Sequence, residues 1–273
     1  MADLLVRPHP PGPDGVVVDI TPASAGWHHV GFAVHRLEPG ATVERATGGR
    51  EHCLVAVSGT MDVRVGDWQA SGVGGRPSPF ADAAPGAVYV PPGATWTVTA
   101  RDALELAVAS APAEGRLPVR LLDPASMSTE TRGTGTNVRH VRNILPETEP
   151  AESLLVVEVI TPGGHWSSYP PHKHDTDRLP AESSLEETYY HRLDPPQGFA
   201  FQRVYTDPGP DGRREIDETM TVHDGDVVLV PRGYHPVGAP HGYDLYYLNV
   251  MAGPERIWRF HNDPAHEWML AGT

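Results

Sequence analysis

The sequence has one cysteine and no long apolar run. With Cys53 alone, no intramolecular disulfide can form, and this fits a reducing compartment. No stretch approaches the ~20 apolar residues that a membrane-spanning helix needs. The apolar run at the N-terminus is short and is soon followed by Pro8, unlike a signal peptide. We therefore expect a cytoplasmic protein.

Positive charge is also scarce in this sequence. It has 21 Lys and Arg against 35 Asp and Glu, giving a formal net charge of −14 with His taken as neutral. An acidic surface is repelled by nucleic acids and by anionic membranes, so we expect neither as a partner. The overall charge does not exclude a small anionic substrate that is held in a local basic pocket.

Convincing amphipathic helices are scarce, whereas short strand-like segments are frequent. The 28 Gly and 29 Pro separate apolar runs that are rich in Val, Leu, Tyr and Thr. Such runs, bounded by turn residues, predict strands. Examples are GAVYVPPG, SLLVVEVI, GDVVLVPRG and DLYYLNVMAG. The sequence therefore predicts an all-β fold.

The chain also repeats a short pattern. Residues 86–93 read GAVYVPPG and residues 225–233 read GDVVLVPRG, so that a Gly, a strand and Pro-x-Gly recur about one domain length apart. Between them, 127–141 is polar and rich in Gly and Thr. We predict two similar all-β domains, 1–126 and 142–273, joined by a linker at 127–141. The alternative is one irregular sandwich in which the pattern recurs by chance.

The C-terminal tail, PERIWRFHNDPAHEWML, carries three widely spaced aromatic residues. It is open to three interpretations: a short helix, a strap that closes the structure, or a contact to a second subunit. The third interpretation would make the protein a homo-oligomer.

The segment PPHKHD indicates a metal site. Side chains alternate along a strand, so His172 and His174 project to one face and can chelate a divalent cation. In the following strand, SLEETYYHR, either Glu186 or Glu187 could complete the site. His235, after the Pro-x-Gly turn of GDVVLVPRGYH, is a fourth candidate. Three imidazoles and one carboxylate suit Zn, Mn, Fe, Ni or Co and leave positions open for substrate.

These motifs resemble those of the cupin superfamily, whose members are small metal-binding β-barrels. The repeat then implies two tandem cupin-type β-barrels, a bicupin. PPHKHD, ESSLEETYYHR, FQRVYTD and GDVVLVPRGYHPV resemble more closely the 5-deoxy-glucuronate isomerase family of inositol catabolism. This resemblance implies one divalent metal ion, bound by His172, His174, Glu187 and His235.

The N-terminal copy of the motifs departs from this pattern. His52 stands where the Glu of the first motif would be, and Trp96 stands where the His of the second would be. No H-x-H precedes His52. We therefore expect a degenerate barrel without metal in residues 1–126.

The resemblance implies conversion of 5-deoxy-D-glucuronate to 5-dehydro-2-deoxy-D-gluconate, an aldose–ketose isomerisation in which a metal stabilises an enediolate. The candidate catalytic residues share one strand face: Glu187, Tyr189 and His191. The general base stays open between a Glu, a His, a Tyr and metal-bound hydroxide.

The substrate carboxylate suggests an arginine partner. Arg203 is preferred to Arg192, which should face away from Glu187, and Tyr247 or Tyr246 would line the cavity. Two other function classes stay open: a metal-dependent cupin dioxygenase and a non-catalytic sugar-binding bicupin.

Overall fold

A computed structural model describes residues 3–270. Almost all of its regular structure is β-strand, which confirms the all-β prediction. The strands in chain order are β1 (Leu5–Val6), β2 (Val16–Ile20), β3 (Gly31–Leu37), β4 (Thr42–Ala46), β5 (Arg50–Val65), β6 (Trp68–Arg76), β7 (Gly86–Val90), β8 (Thr95–Ala100), β9 (Leu104–Pro112), β10 (Arg120–Leu122), β11 (Thr129–Arg132), β12 (Arg139–Leu145), β13 (Leu155–Thr161), β14 (Trp166–Ser167), β15 (His172–Lys173), β16 (Asp175–Arg178), β17 (Glu182–Ser184), β18 (Glu186–Asp194), β19 (Ala200–Tyr205), β20 (Asp217–Val222), β21 (Val227–Val230), β22 (Val237–Gly238), β23 (Asp244–Ala252) and β24 (His261–Asn262).

Helical structure in the described residues is limited to single turns. The α-helix α1 spans Pro22–Ala25, where Thr21 caps the N-terminus and Gly26, at φ 74°, ends the turn. The 3-10 turns are Pro124–Ser126, Gly135–Asn137 and Glu267–Leu270. None of the helices within residues 3–270 is long and apolar enough to cross a membrane.

The chain forms two compact units. One, here called the N-terminal barrel, comprises Pro8–Ser128 and Arg142–Val157. The other, the C-terminal barrel, comprises the N-terminal residues through Arg7, Thr129–Val141, and the chain from Glu158 onward. The segment predicted as a linker at 127–141 therefore differs from expectation, because β11 and part of β12 lie within it and join a sheet of the C-terminal barrel.

The N-terminal barrel is built on the long strand β5. Its sheet runs β10-β7-β5-β9-β3-β2, and β5 also pairs with β6 and β8, while β4 pairs with β8. Alternating side chains of these strands enclose one apolar core, which includes Leu54, Met61, Trp96 and Leu106, all fully buried. Each such side chain contributes roughly 1.5–3 kcal/mol relative to an exposed position.

A buried carboxylate fixes the second segment of the N-terminal barrel. Glu51 on β5 is fully buried and accepts hydrogen bonds from the backbone N–H groups of Glu152, Ser153 and Leu154 at 2.6–2.9 Å. The Tyr89 hydroxyl donates to the same carboxylate at 2.7 Å. These four donors replace the water that the carboxylate loses on burial, so the charge also anchors the segment.

The main sheet of the C-terminal barrel runs β1-β21-β18-β23-β13-β12-β11. A smaller sheet, β14-β22-β19-β20, and the pairs β15-β24 and β16-β17 complete it. The predicted repeat is visible in the register of the two barrels. His52 lies opposite Val90 on β7, and Glu187 lies opposite Val230 on β21. Each of these valines ends its strand and is followed by proline.

Candidate metal centre

The H-x-H segment begins on the short strand β15, which is followed directly by His174, and its side chains alternate as expected. Lys173, the only lysine in the chain, projects away from the histidines. Its Nζ donates to Asp175 at 2.6 Å and to Glu182 at 3.2 Å. A buried ammonium held by two carboxylates fixes the strand's orientation, so that His172 and His174 face the opposite side.

The C-terminal tail reaches this strand as a strap, one of its three interpretations. β24 pairs with β15, placing Asn262 opposite His172. Asp263 donates its backbone N–H to the Pro171 carbonyl at 2.8 Å and accepts from the Tyr205 hydroxyl at 2.7 Å. The tail therefore holds the H-x-H strand from its outer edge.

His235 is delivered by the turn that follows β21. Gly233 sits at φ 91°, and a Cβ there would lie 2.5 Å from the Tyr205 carbonyl oxygen, so only glycine fits. The backbone N–H of Gly233 donates to Asp175 Oδ2 at 2.9 Å. Asp175 thus ties the turn that carries His235 to the strand that carries His172 and His174.

Three imidazoles converge at this point. The ligand nitrogens of His172, His174 and His235 lie within 4.8 Å of one another. Glu187 Oε2 lies 3.1 Å from His174 Nε2 and 3.3 Å from His235 Nε2. Glu186 precedes Glu187 on β18 and so projects to the other face. Of the two glutamates, the structure therefore brings Glu187 to the histidines.

The hydrogen bonds of the imidazoles show why a cation fits between them. His174 Nδ1 donates to the Leu185 carbonyl at 3.2 Å, and His235 Nδ1 donates to the Gly233 carbonyl at 2.9 Å. A carbonyl only accepts, so both Nδ1 atoms carry a proton, and in the neutral rings both Nε2 lone pairs face Glu187. His235 Nε2 is buried without a hydrogen-bond partner. Lone pairs facing a carboxylate oxygen repel it unless a cation lies between them.

The pKa shifts agree with imidazoles that are neutral or share a cation. Burial lowers the pKa of His235 to about 4, and burial together with the neighbouring histidines lowers the pKa of His172 well below its usual value. Burial also opposes charge on His174, but a protonated His174 Nε2 can donate to Glu187, and this hydrogen bond together with the charge of Glu187 raises the pKa of His174. The space between His174 and Glu187 therefore favours a cation, either a proton or a metal ion. The donor set fits a divalent metal of the kind predicted.

Two tyrosines lie beside the cluster. The Tyr189 ring centroid is 5.7 Å from that of His235 and 4.9 Å from that of Tyr247. Ser168 pairs with the Tyr189 hydroxyl at 2.9 Å, and Ser167 pairs with the Tyr247 hydroxyl. Ser168 is at φ 50°, which turns two consecutive hydroxyls toward the same interior. Burial raises the pKa values of Tyr189 and Tyr247, so both stay protonated.

His191, a predicted catalytic residue, is fully buried beside these tyrosines. Its Nε2 pairs with Gln202 Oε1 at 2.9 Å, and Gln202 Nε2 donates to the His235 carbonyl at 3.5 Å. Burial lowers the pKa of His191 to about 4, so the ring is neutral. This chain of contacts leads from His191 to the backbone of His235, and so gives His191 a positioning geometry.

The structure does not bring Arg203 to the cluster, which corrects the expectation that its guanidinium faces the substrate. Along β19, Gln202 is fully buried and Arg203 points the other way. Arg203 makes a bidentate pair with Asp217, at 2.8 and 2.9 Å, and lies over the Tyr205 ring. The other predicted arginine, Arg192, pairs with Asp224 at 2.7 Å.

The histidine cluster borders a pocket of about 460 Å³, which His172 helps to line. Its wall also includes Arg132, Arg139, Tyr169, Trp258 and Phe260. Sequence patterns alone did not indicate that Arg139, Asp175 or Gln202 belongs to the site. Arg139 lies within the segment 127–141 that is predicted as a linker, and the other two depend on contacts between segments far apart in the chain.

Known proteins are similar to this chain over nearly its whole length. A protein named 5-deoxy-glucuronate isomerase from Geobacillus kaustophilus is 52% identical over 272 residues, covering 99% of this chain and 96% of that protein. The crystal structure of an IolB-like protein from Salmonella typhimurium LT2 matches with a TM-score of 0.94 and 49% identity, covering 98% of this chain and 100% of that one.

A more distant likeness concerns the fold alone. An oxalate decarboxylase from Lactobacillus farciminis matches with a TM-score of 0.66 and 13% identity, covering 100% of this chain and 91% of that one. The predicted bicupin fold is confirmed. The model of the KduI/IolB family matches residues 4–269, and the chain therefore belongs to this family.

Proposed function

We propose that this protein is an aldose–ketose isomerase that converts 5-deoxy-D-glucuronate to 5-dehydro-2-deoxy-D-gluconate in inositol catabolism, in the cytoplasm. The observation that carries the proposal is the cluster of three imidazoles and one carboxylate, all buried except the half-buried His172, at the wall of a pocket. It occurs in a chain that matches proteins named 5-deoxy-glucuronate isomerase over nearly its full length.

His172, His174, Glu187 and His235 would hold one divalent metal ion. Such an ion supplies Lewis acidity, which favours removal of a proton next to a carbonyl without any redox change. The protein holds His174 and His235 in place through the carbonyls of Leu185 and Gly233, and Asp175 holds the turn that carries His235. Fixed ligands leave little reorganisation to be made when charge develops on the substrate.

Among the predicted catalytic residues, Tyr189 would act as a hydrogen-bond donor. Its raised pKa keeps the hydroxyl protonated at neutral pH, and Ser168 orients it. Tyr247, with Ser167, would serve the same purpose from the neighbouring strand β23. His191 acts through Gln202 on the loop of His235 and is a positioning residue.

The test is a direct assay on the full chain. Purified protein, loaded separately with Mn, Zn, Fe, Co or Ni, is incubated with 5-deoxy-D-glucuronate under nitrogen. Loss of the aldehyde and gain of the ketone are followed by NMR. We expect turnover under nitrogen that stops on addition of a chelator and returns with metal. Oxygen consumption in step with turnover would instead indicate a dioxygenase, and sugar-acid binding without conversion would indicate a non-catalytic bicupin.

A further inference from the structure

The pocket beside His172 contains two positively charged side chains, Arg132 and Arg139. They differ in whether a carboxylate of the protein pairs with the guanidinium. Arg132 donates to Glu130 at 2.6 Å and lies over the Trp258 ring, 5.3 Å from its centroid. Its charge is therefore already neutralised by a neighbour on the same strand.

Arg139 has no such counter-charge. Its Nη1 donates to the carbonyls of Asn137 at 3.1 Å and Tyr169 at 3.3 Å. Within residues 3–270, its Nε and Nη2 have no hydrogen-bond partner and no carboxylate lies within ion-pair distance. The Arg139 side chain is half-buried in the pocket wall, and this burial lowers its pKa.

The loop around Arg139 is shaped to hold this guanidinium. Gly133 is at φ 77°, and a Cβ there would lie 2.8 Å from Arg139 Nη1 and 2.2 Å from the Asn137 carbonyl oxygen. Only glycine lets the loop close on the side chain in this way. The carbonyls of Asn137 and Tyr169 then hold one nitrogen of a guanidinium whose side chain lines the pocket.

Arg139 also lies beside the histidine cluster. Arg139 and His172 line the same pocket, and Arg139 Nη1 donates to the carbonyl of Tyr169, which lines that pocket as well. A partly desolvated cation with unused donors, close to a metal-binding cluster, is complementary to an anionic group on the same ligand that reaches the cluster.

We propose that Arg139 binds the carboxylate of the sugar-acid substrate while the aldehyde end of that substrate lies at the histidine cluster. This inference rests on the proposed function. Arg139 would select an aldose that carries a terminal carboxylate over the corresponding neutral sugar. A planar guanidinium can meet a carboxylate with two N–H groups, so it fixes both the position and the rotation of the substrate.

The test compares R139Q and R139K with wild type on two substrates. One is 5-deoxy-D-glucuronate, and the other is 5-deoxy-D-glucose, in which a hydroxymethyl group replaces the carboxylate. We expect R139Q to raise KM for the acid about 10- to 100-fold with a smaller change in kcat, as for the loss of a charge-assisted hydrogen bond. The neutral sugar should respond little. R139K should restore part of the affinity, because charge returns without the fork.

Metal content by elemental analysis should be unchanged in both variants, which separates substrate binding from damage to the histidine cluster. R203K, which alters a guanidinium outside the pocket, is the control. An R139Q variant that keeps the wild-type KM for the acid, or that loses affinity equally for both sugars, would overturn the proposal.

The two proposals can fail separately. If metal-loaded wild type does not isomerise 5-deoxy-D-glucuronate, the proposed function fails. Calorimetric binding of the same acid to wild type and R139Q then decides the role of Arg139. Weaker binding to R139Q than to wild type supports it, whereas equal binding, or no binding to either, overturns it.

Discussion

In the N-terminal barrel, His52 lies opposite Val90 on its neighbouring strand, and in the C-terminal barrel Glu187 lies opposite Val230 in the same way. The side chains that meet them differ. Trp96 Nε1 donates to His52 Nδ1 at 3.0 Å, whereas Glu187 Oε2 faces His235 Nε2 at 3.3 Å. One register therefore presents an indole–imidazole pair in one barrel and a carboxylate–imidazole pair in the other.

At equivalent strand positions, the N-terminal pair serves to pack the barrel interior, whereas the C-terminal pair has side chains of the kind that bind a metal ion. Indole N–H is only a donor and offers no lone pair to a metal ion, and the Nδ1 lone pair of His52 is already used to accept it. Trp96 is fully buried within the apolar core of its barrel. Burial, followed by the charge of Arg50, lowers the pKa of His52 to about 4, so the imidazole is neutral. The N-terminal barrel thus places a buried aromatic side chain at the position where the C-terminal barrel brings an imidazole to a carboxylate.

The largest expected effect is loss of metal from the C-terminal barrel. We expect one divalent ion per chain in wild type and none after His172→Ala with His174→Ala. Isomerase activity should fall at least about 10³-fold, since Lewis-acid stabilisation amounts to several kcal/mol. The fold should persist, because the barrel core is formed by other side chains. Elemental analysis measures the metal content, and circular dichroism shows whether the fold persists.

The matched control for this variant is His28→Ala with His29→Ala, an adjacent pair in the N-terminal barrel. It should keep the full metal content. Two ions per chain in wild type would contradict the comparison, because the N-terminal barrel would then bind metal as well. So would metal retained by the His172 and His174 double variant.

The converse experiment removes the packing residue. Trp96→Ala should lower the free energy of unfolding by about 3–5 kcal/mol, the usual result of emptying a buried aromatic site. Metal content should not change, because the ligands lie in the other barrel. Denaturant unfolding measures the loss, and Trp268→Ala, at a side chain that is 71% exposed, should change stability by less than about 0.5 kcal/mol. Loss of metal from Trp96→Ala would show that the barrels are not independent in this respect.

A smaller effect is expected at Asp175, which has no counterpart in the motifs of the N-terminal barrel. Asp175→Asn weakens the pair with Lys173 and the contact with the Gly233 N–H, so the turn carrying His235 is held less firmly. Metal affinity should fall about 10- to 100-fold, as for other residues that orient ligands. Metal titration measures it, with the exposed Asp177→Asn as control. Equal metal affinities of wild type and Asp175→Asn would show that the position of His235 does not depend on the contact with Asp175.

Much of this architecture follows from local patterns. Alternation along a strand predicts that His172 and His174 share a face, and a glycine turn before His235 predicts a loop that reaches back. The sheet of the C-terminal barrel could not be predicted in full, because β11 and β12 come from a polar segment that reads as a linker. Their pairing depends on neighbours far away in sequence, and the position of Arg139 depends on it too.

The sequence also did not predict which side chains of β19 point into the barrel, and the reason is a different one. Phe201 is 43% exposed while Gln202 is fully buried, the reverse of what hydrophobicity indicates. The reversal is explained by His191, whose buried Nε2 needs the amide of Gln202. A requirement for one internal hydrogen bond thus sets which side of the strand Arg203 occupies.

The smallest expected effect follows from that facing. Arg203→Lys keeps the charge but loses the bidentate contact with Asp217, on a side chain that is 41% exposed. Exposed ion pairs contribute at most about 1 kcal/mol, so the free energy of unfolding should change by no more than this. KM for 5-deoxy-D-glucuronate should stay within about twofold, because the guanidinium lies on the outer face of β19, whereas a residue that held the substrate carboxylate would lose a charge-assisted hydrogen bond. Steady-state kinetics of Arg203→Lys and R139K compares two arginines of the same barrel. If KM rises for Arg203→Lys and not for R139K, Arg203 and not Arg139 binds the substrate carboxylate.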